Sequence, residues 1–206
     1  VAYGNKYKKG YLGMDLSGTG AGMFFDYITI HETGHEWFGN SITSKDIADM
    51  WIHEGFTTYT ETVFIECVKG YDEAIKYVNG QSRSVRNDRP VIAQFGVNKE
   101  GSGDMYYKGA LMLNTIRHII NDDAKWWKLL YNYSETYKKQ IIDTKTVIDY
   151  FNKESGLDLT SVFNQYLTTT KIPKLVLSKT GNKLSYEWQN VNTDFKMPVD
   201  IVINEK

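Results

Sequence analysis

His31-Glu32-Thr33-Gly34-His35, inside the run from Phe24 to Asn40, is the stretch from which both fold and chemistry are read. Apolar or aromatic residues recur at Phe24, Ile28 and Phe38, near the three-to-four spacing of one helical face, which predicts a helix ending near Asn40-Ser41. His31 and His35 stand four apart and stack on one side of such a helix. Two imidazoles so spaced can reach one zinc ion, whose nitrogen ligands sit about 2.0–2.1 Å away. Glu32 is rotated around the helix from both, where a general base can face a water beside the metal. The plainer reading makes the histidines hydrogen-bonded residues of a half-buried face, with Glu32 in solvent. A third ligand argues against it. Trp51-Ile52-His53-Glu54-Gly55-Phe56 opens a second helical run, and Glu54 follows His35 after eighteen intervening residues, enough for a turn and an antiparallel return. Two histidines and one carboxylate complete a catalytic zinc site with its fourth position open.

His31-Glu32-x-x-His35, the eighteen-residue gap to Glu54, Trp37-Phe38-Gly39-Asn40 and Glu54-Gly55-Phe56 together resemble the aminopeptidase N family of zinc peptidases. These are gluzincins with a thermolysin-like catalytic domain, and weaker similarity runs from about Phe24 to Pro173. A metzincin needs glycine at 38 and histidine at 41, where this chain has Phe38 and Ser41; a di-iron bundle needs a second Glu-x-x-His. The resemblance implies one Zn²⁺ held by His31, His35 and Glu54, with Glu32 as base and a peptide as substrate. It also assigns a role to Tyr106 in Tyr106-Tyr107-Lys108-Gly109: a phenol that hydrogen-bonds the developing oxyanion. Without it, either tyrosine reads as core. An endopeptidase, an epoxide hydrolase of the same family and a non-catalytic zinc-stabilised scaffold are the rival functions.

The family holds the substrate's free amine through a Gly-x-Met-Glu-Asn segment upstream. Gly13-Met14-Asp15 is a faint counterpart and stands too close to His31. With Val1 at the start, this suggests a fragment that lacks the upstream part of its parent and has little or no activity by itself.

The fold expected is mainly α with a small β appendage: residues 1–172 the helical part of a thermolysin-like catalytic domain, residues 173–206 a short antiparallel sheet. Residues 1–22 carry six glycines and read as loop. Further helices are expected over about 47–68 (stopped by Gly70), 71–88, 106–120, 123–138, 144–154 (Thr144 as cap, Gly156 past its end) and 160–168. Gly34 costs a helix about 1 kcal/mol against alanine, which points to close packing there. Glu61 shares a face with Glu54 and is a candidate to accept the free N–H of a zinc-bound histidine; a solvated glutamate is the plainer alternative. His53 reads as structural and His118 as without a role. The long loop from Pro90 to Asp104 reads as a pocket wall. After Pro173 the pattern alternates, giving three strands near 175–177, 184–188 and 199–203, the first two joined at Thr180-Gly181-Asn182.

The 206 residues are 41% apolar and 24% charged, ordinary for a globular chain, and long enough for a sizeable core. A net charge of −1 gives no footprint for nucleic acid. Cys67 is alone, so no internal disulfide forms. No apolar run is long enough to span a membrane and no signal peptide is visible, which leaves the compartment open.

Overall fold

The computed structural model describes residues 3–202. Seven helices and two small sheets are found among them: α1 (Tyr27–Gly34), β1 (Ile42–Ser44), α2 (Trp51–Lys69), α3 (Tyr71–Gly80), α4 (Tyr107–Ile120), α5 (Asp123–Tyr137), β2 (Gln140–Ile142), α6 (Thr144–Ser155), α7 (Thr160–Thr168), β3 (Lys174–Thr180) and β4 (Lys183–Gln189). The mainly helical class with a small antiparallel appendage is as expected. No helix is long and apolar enough to cross a membrane among the described residues.

α2 is the hub, with α1, α3 and α4 all packed against it. Its face carries Trp51, Phe56 and Tyr59 into an aromatic core shared with Trp126, Tyr133, Phe151 and Phe163. The rings meet in offset or edge-on pairs, such as Phe56 with Tyr133 at 5.0 Å and Phe151 with Phe163 at 5.6 Å between centroids. Two close approaches fix α2 against its neighbours. A β-carbon on Gly34 would stand 3.1 Å from Thr57 Cγ2, so the glycine inside α1 serves close packing, as its cost suggested. At the α2–α4 crossing, a β-carbon on Gly109 would stand 2.9 Å from the Cα of Gly55.

Several boundaries differ from expectation. α1 stops at Gly34 because the chain beyond it makes successive tight turns, Glu36 N to Thr33 O and Trp37 N to Gly34 O, and Gly39 has φ +141°, which no helix accommodates. The buried face of α1 is Tyr27, His31 and Gly34 rather than the one through Phe24 and Ile28. α3 ends at Gly80, and a single tight turn over Gln81–Ser84 replaces its expected last turns. α6 is capped by Asp143, whose carboxylate accepts from Thr146 N at 2.8 Å, not by Thr144. Thr144 instead donates its N–H and hydroxyl to the buried Asp49 at 2.8 and 2.7 Å, tying the start of α6 to the start of α2. The sequence reading missed the parallel pairing of β1 with β2, three residues each and joined at Thr43↔Ile141.

β3 and β4 pair antiparallel in register Leu177↔Tyr186, turning at Gly181-Asn182 as expected. The third strand does not form: residues 191–202 contain no strand, and Ile203 lies outside the described residues. This segment spends its polar groups elsewhere, Met197 O accepting from Trp188 Nε1 at 3.0 Å and Lys196 N donating to Ser161 Oγ at 3.1 Å. Pro198 has no N–H to offer a ladder.

Candidate metal centre

The side chains of His31 and His35 leave α1 at its C-terminal end, and Glu54 leaves the first turn of α2 opposite them. His31 Nε2 lies 3.3 Å and His35 Nε2 3.4 Å from the same oxygen, Glu54 Oε2. The ligating atoms of the three residues all lie within 4.8 Å of one another. Each ring's other nitrogen is engaged: His31 Nδ1 donates to Glu61 Oε1 at 2.8 Å, and His35 Nδ1 to Phe38 O at 3.0 Å. Those bonds select the tautomer that leaves both Nε2 lone pairs facing Glu54. Two imidazole nitrogens and one carboxylate oxygen, oriented from behind, are a donor set that fits zinc.

The charges agree with this geometry. Burial opposes a charge on His31, but hydrogen bonds to Glu54 and Glu61 and their negative charge outweigh it and lift its pKa to about 9. Burial also opposes ionisation of Glu54, yet the hydrogen bonds and positive charge of His31 and His35 hold it at about 2.

Glu61 is fully buried, not solvated. Its Oε2 accepts from Tyr77 Oη at 2.5 Å and Gln81 Nε2 at 3.3 Å, while burial pushes its pKa up. Glu32 is half-buried on α1 and lines a groove of about 350 Å³ with Tyr3, Ile28 and Glu36, and its charge helps to raise the Tyr106 pKa. Tyr106, not Tyr107, stacks on the His31 ring at 5.9 Å between centroids. Burial first, then the Glu54 carboxylate, pushes the Tyr106 phenol up to about 12. The loop over residues 90–104 is a strap that delivers it. Ser102 N donates to Pro90 O at 2.9 Å, Asp104 accepts from the N–H groups of Arg86 and Asn87, and Val91 N donates to Leu167 O. His53 accepts from Ser44 N at 2.8 Å, the structural role expected of it. A larger cavity, about 610 Å³ and walled by Ile119, Leu159 and Trp188, contains none of these groups. Chemistry, not volume, singles out the site.

Sequence reasoning missed Thr57, whose hydroxyl donates to Phe38 O at 3.2 Å beside His35, and Tyr77, which reaches Glu61 from α3. Neither carried a spacing signal.

Residues 23–166, well over half the chain, match the Peptidase family M1 domain. The chain belongs to peptidase family M1. It is 25% identical to "Probable aminopeptidase 2" of Sulfurisphaera tokodaii, over 86% of this chain and 25% of that protein. It is likewise 25% identical to "Aminopeptidase B" of Rattus norvegicus, over 71% of this chain and 26% of the relative. The chain thus spans about a quarter of the length of these M1 relatives. Among solved structures, the M1 zinc metallopeptidase of Deinococcus radiodurans superposes with TM-score 0.61 at 25% identity, covering 74% of this chain and 35% of that one. Native leukotriene A4 hydrolase from Saccharomyces cerevisiae shares the fold, with TM-score 0.59 at 19% identity, over 71% of this chain and 26% of that one.

Proposed function

We propose that this chain is the catalytic core of a zinc aminopeptidase, with residues 1–172 the helical part of the catalytic domain and residues 173–206 the start of a β domain. His31, His35 and Glu54 hold one zinc ion. When bound, zinc supplies Lewis acidity, lowering the pKa of a water and polarising a carbonyl. Glu32 takes the proton from the attacking water and returns it to the departing amine. Tyr106 donates a hydrogen bond to the oxyanion as it develops; its raised pKa keeps the phenol protonated at neutral pH. Glu61 orients His31 from behind. The observation that carries this reading is the convergence of two Nε2 atoms on one oxygen of Glu54, each ring fixed through its Nδ1.

The test uses the longer parent protein. It should hydrolyse peptides with a free amino terminus and spare the amino-blocked versions. Its Glu32→Gln variant should keep zinc and lose orders of magnitude in kcat. Equal turnover of free and blocked peptides would remove the aminopeptidase assignment, and wild-type turnover by Glu32→Gln would remove the base.

A further inference from the structure

Glu61 divides its two oxygens between two helices. Oε1 faces α1 and accepts from His31 Nδ1 at 2.8 Å, while Oε2 faces α3 and accepts from Tyr77 Oη at 2.5 Å. Gln81 Nε2 adds a longer bond to Oε2 at 3.3 Å. The carboxylate is at 0% exposure, so no solvent molecule can replace a missing donor without entering the core. A carboxylate held by one oxygen can still swing about its Cγ–Cδ bond; held by both, it cannot. Tyr27 and Tyr106 stack on the His31 ring, but at Nδ1 the ring is held through Oε1 alone, and that restraint is only as firm as the bonds on the opposite oxygen, of which the one from Tyr77 is the shorter.

We propose that Tyr77 is a positioning residue for the metal centre: its hydroxyl locks Glu61, and Glu61 locks His31 with Nδ1–H donated and Nε2 turned toward Glu54. This rests on the reading of His31 as a metal ligand. α3 supplies none of the three ligand atoms, yet through this chain of two hydrogen bonds it sets how well they are organised. Tyr77 also packs edge-on against Phe25, at 5.7 Å between centroids, and that contact is purely structural. Tyr77→Phe separates the two roles, because it keeps the ring and removes only the hydroxyl.

The experiment is zinc affinity by chelator competition in the full-length parent protein, read for wild type, Tyr77→Phe, Glu61→Gln and the double variant. Loss of a group that orients a metal-bound histidine typically weakens binding about 10–100-fold. Tyr77→Phe should fall in that range, and should cause no further loss once Glu61 is already glutamine. A second readout needs no Glu61 variant: the Nδ1–H proton of His31 in the zinc-loaded protein should exchange with solvent at least about tenfold faster in Tyr77→Phe. Wild-type zinc affinity and exchange in Tyr77→Phe would overturn the proposal. So would an equal loss in both Glu61 backgrounds, which would mark a general packing effect. Failure of the underlying reading looks different, because His31→Asn would then bind zinc as tightly as wild type.

Discussion

Gly109→Ala asks whether the α2–α4 crossing sets the spacing between Tyr106 and Glu54. The new β-carbon would stand 2.9 Å from Gly55 Cα, where non-bonded carbons prefer about 3.5–4.0 Å. The obstacle is backbone, so no change of rotamer relieves it; the two helices must part by about 0.5–1 Å at this point. Two effects compete. Alanine gains up to about 1 kcal/mol over glycine in a helix interior, and less at position 109, in the first turn of α4. Overpacking a tight contact costs about 1–3 kcal/mol. The overpacking wins, for a net loss of about 1 kcal/mol. Tyr106 immediately precedes α4 and Glu54 sits beside Gly55, so the same displacement separates phenol from carboxylate. A misplacement of about 1 Å can cost about 100-fold in rate. Urea midpoints should therefore fall, and kcat of the parent protein should drop by about 10–100-fold, with zinc content unchanged. If Gly109→Ala is instead more stable than wild type with undiminished turnover, the crossing is loose and the reasoning fails.

Four further outcomes follow from the structure. Tyr106→Phe should lower kcat by about 100–1,000-fold, the cost of one oxyanion donor, with little change in metal content; an unchanged rate removes Tyr106 from the mechanism. Protons on His31 compete with zinc, and its metal-free pKa is about 9. Apparent zinc affinity should thus rise at least about tenfold per pH unit from 6 to 9, then level off; a flat profile by chelator competition contradicts the assignment. In the metal-free protein the same ion pair stabilises the fold with the opposite pH sense. The raised His31 contributes fully below its unfolded value of 6.5 and fades as pH rises through about 9. The depressed Glu54 contributes fully above 4.5 and fades as pH falls through about 2. Thermal unfolding of the apo protein should show a stability plateau between those limits; a steady rise from pH 6 to 9 would contradict it. Arg117 is 3% exposed, forks onto Glu66 at 2.6 and 2.9 Å and onto Asp123, and lies over Trp127. Arg117→Met should destabilise by about 3 kcal/mol in urea, and lysine should not rescue it because one ammonium cannot serve two carboxylates in a fork.

The cluster was legible because it is built from short-range regularities. Spacing four puts His31 and His35 on one side of a helix, and the eighteen-residue return brings Glu54 opposite. Gly34 announced close packing by its cost. What the sequence hid was decided by tertiary contacts. The acceptor for His35 is a backbone oxygen, that of Phe38, exposed only because the chain turns after Gly34. Tyr77 reads as one more core aromatic, and nothing in its neighbours says where its hydroxyl points. β1 and β2 are three residues each and pair across the four helices α2 to α5, too short and too distant for alternation to register. Alternation over 199–203 did suggest a strand, but Pro198 and the bonds of Met197 and Lys196 to Trp188 and Ser161 draw the described part of that segment away from the hairpin.

The central claim is most directly tested by X-ray absorption at the zinc edge on the purified, zinc-loaded protein and its Glu54→Gln variant. Wild type should show one zinc per chain with two imidazole nitrogens and a carboxylate oxygen at about 2.0–2.2 Å; Glu54→Gln should lose the carboxylate signature and most of the affinity. Zinc bound equally well, in the same shell, without the Glu54 carboxylate would contradict the account.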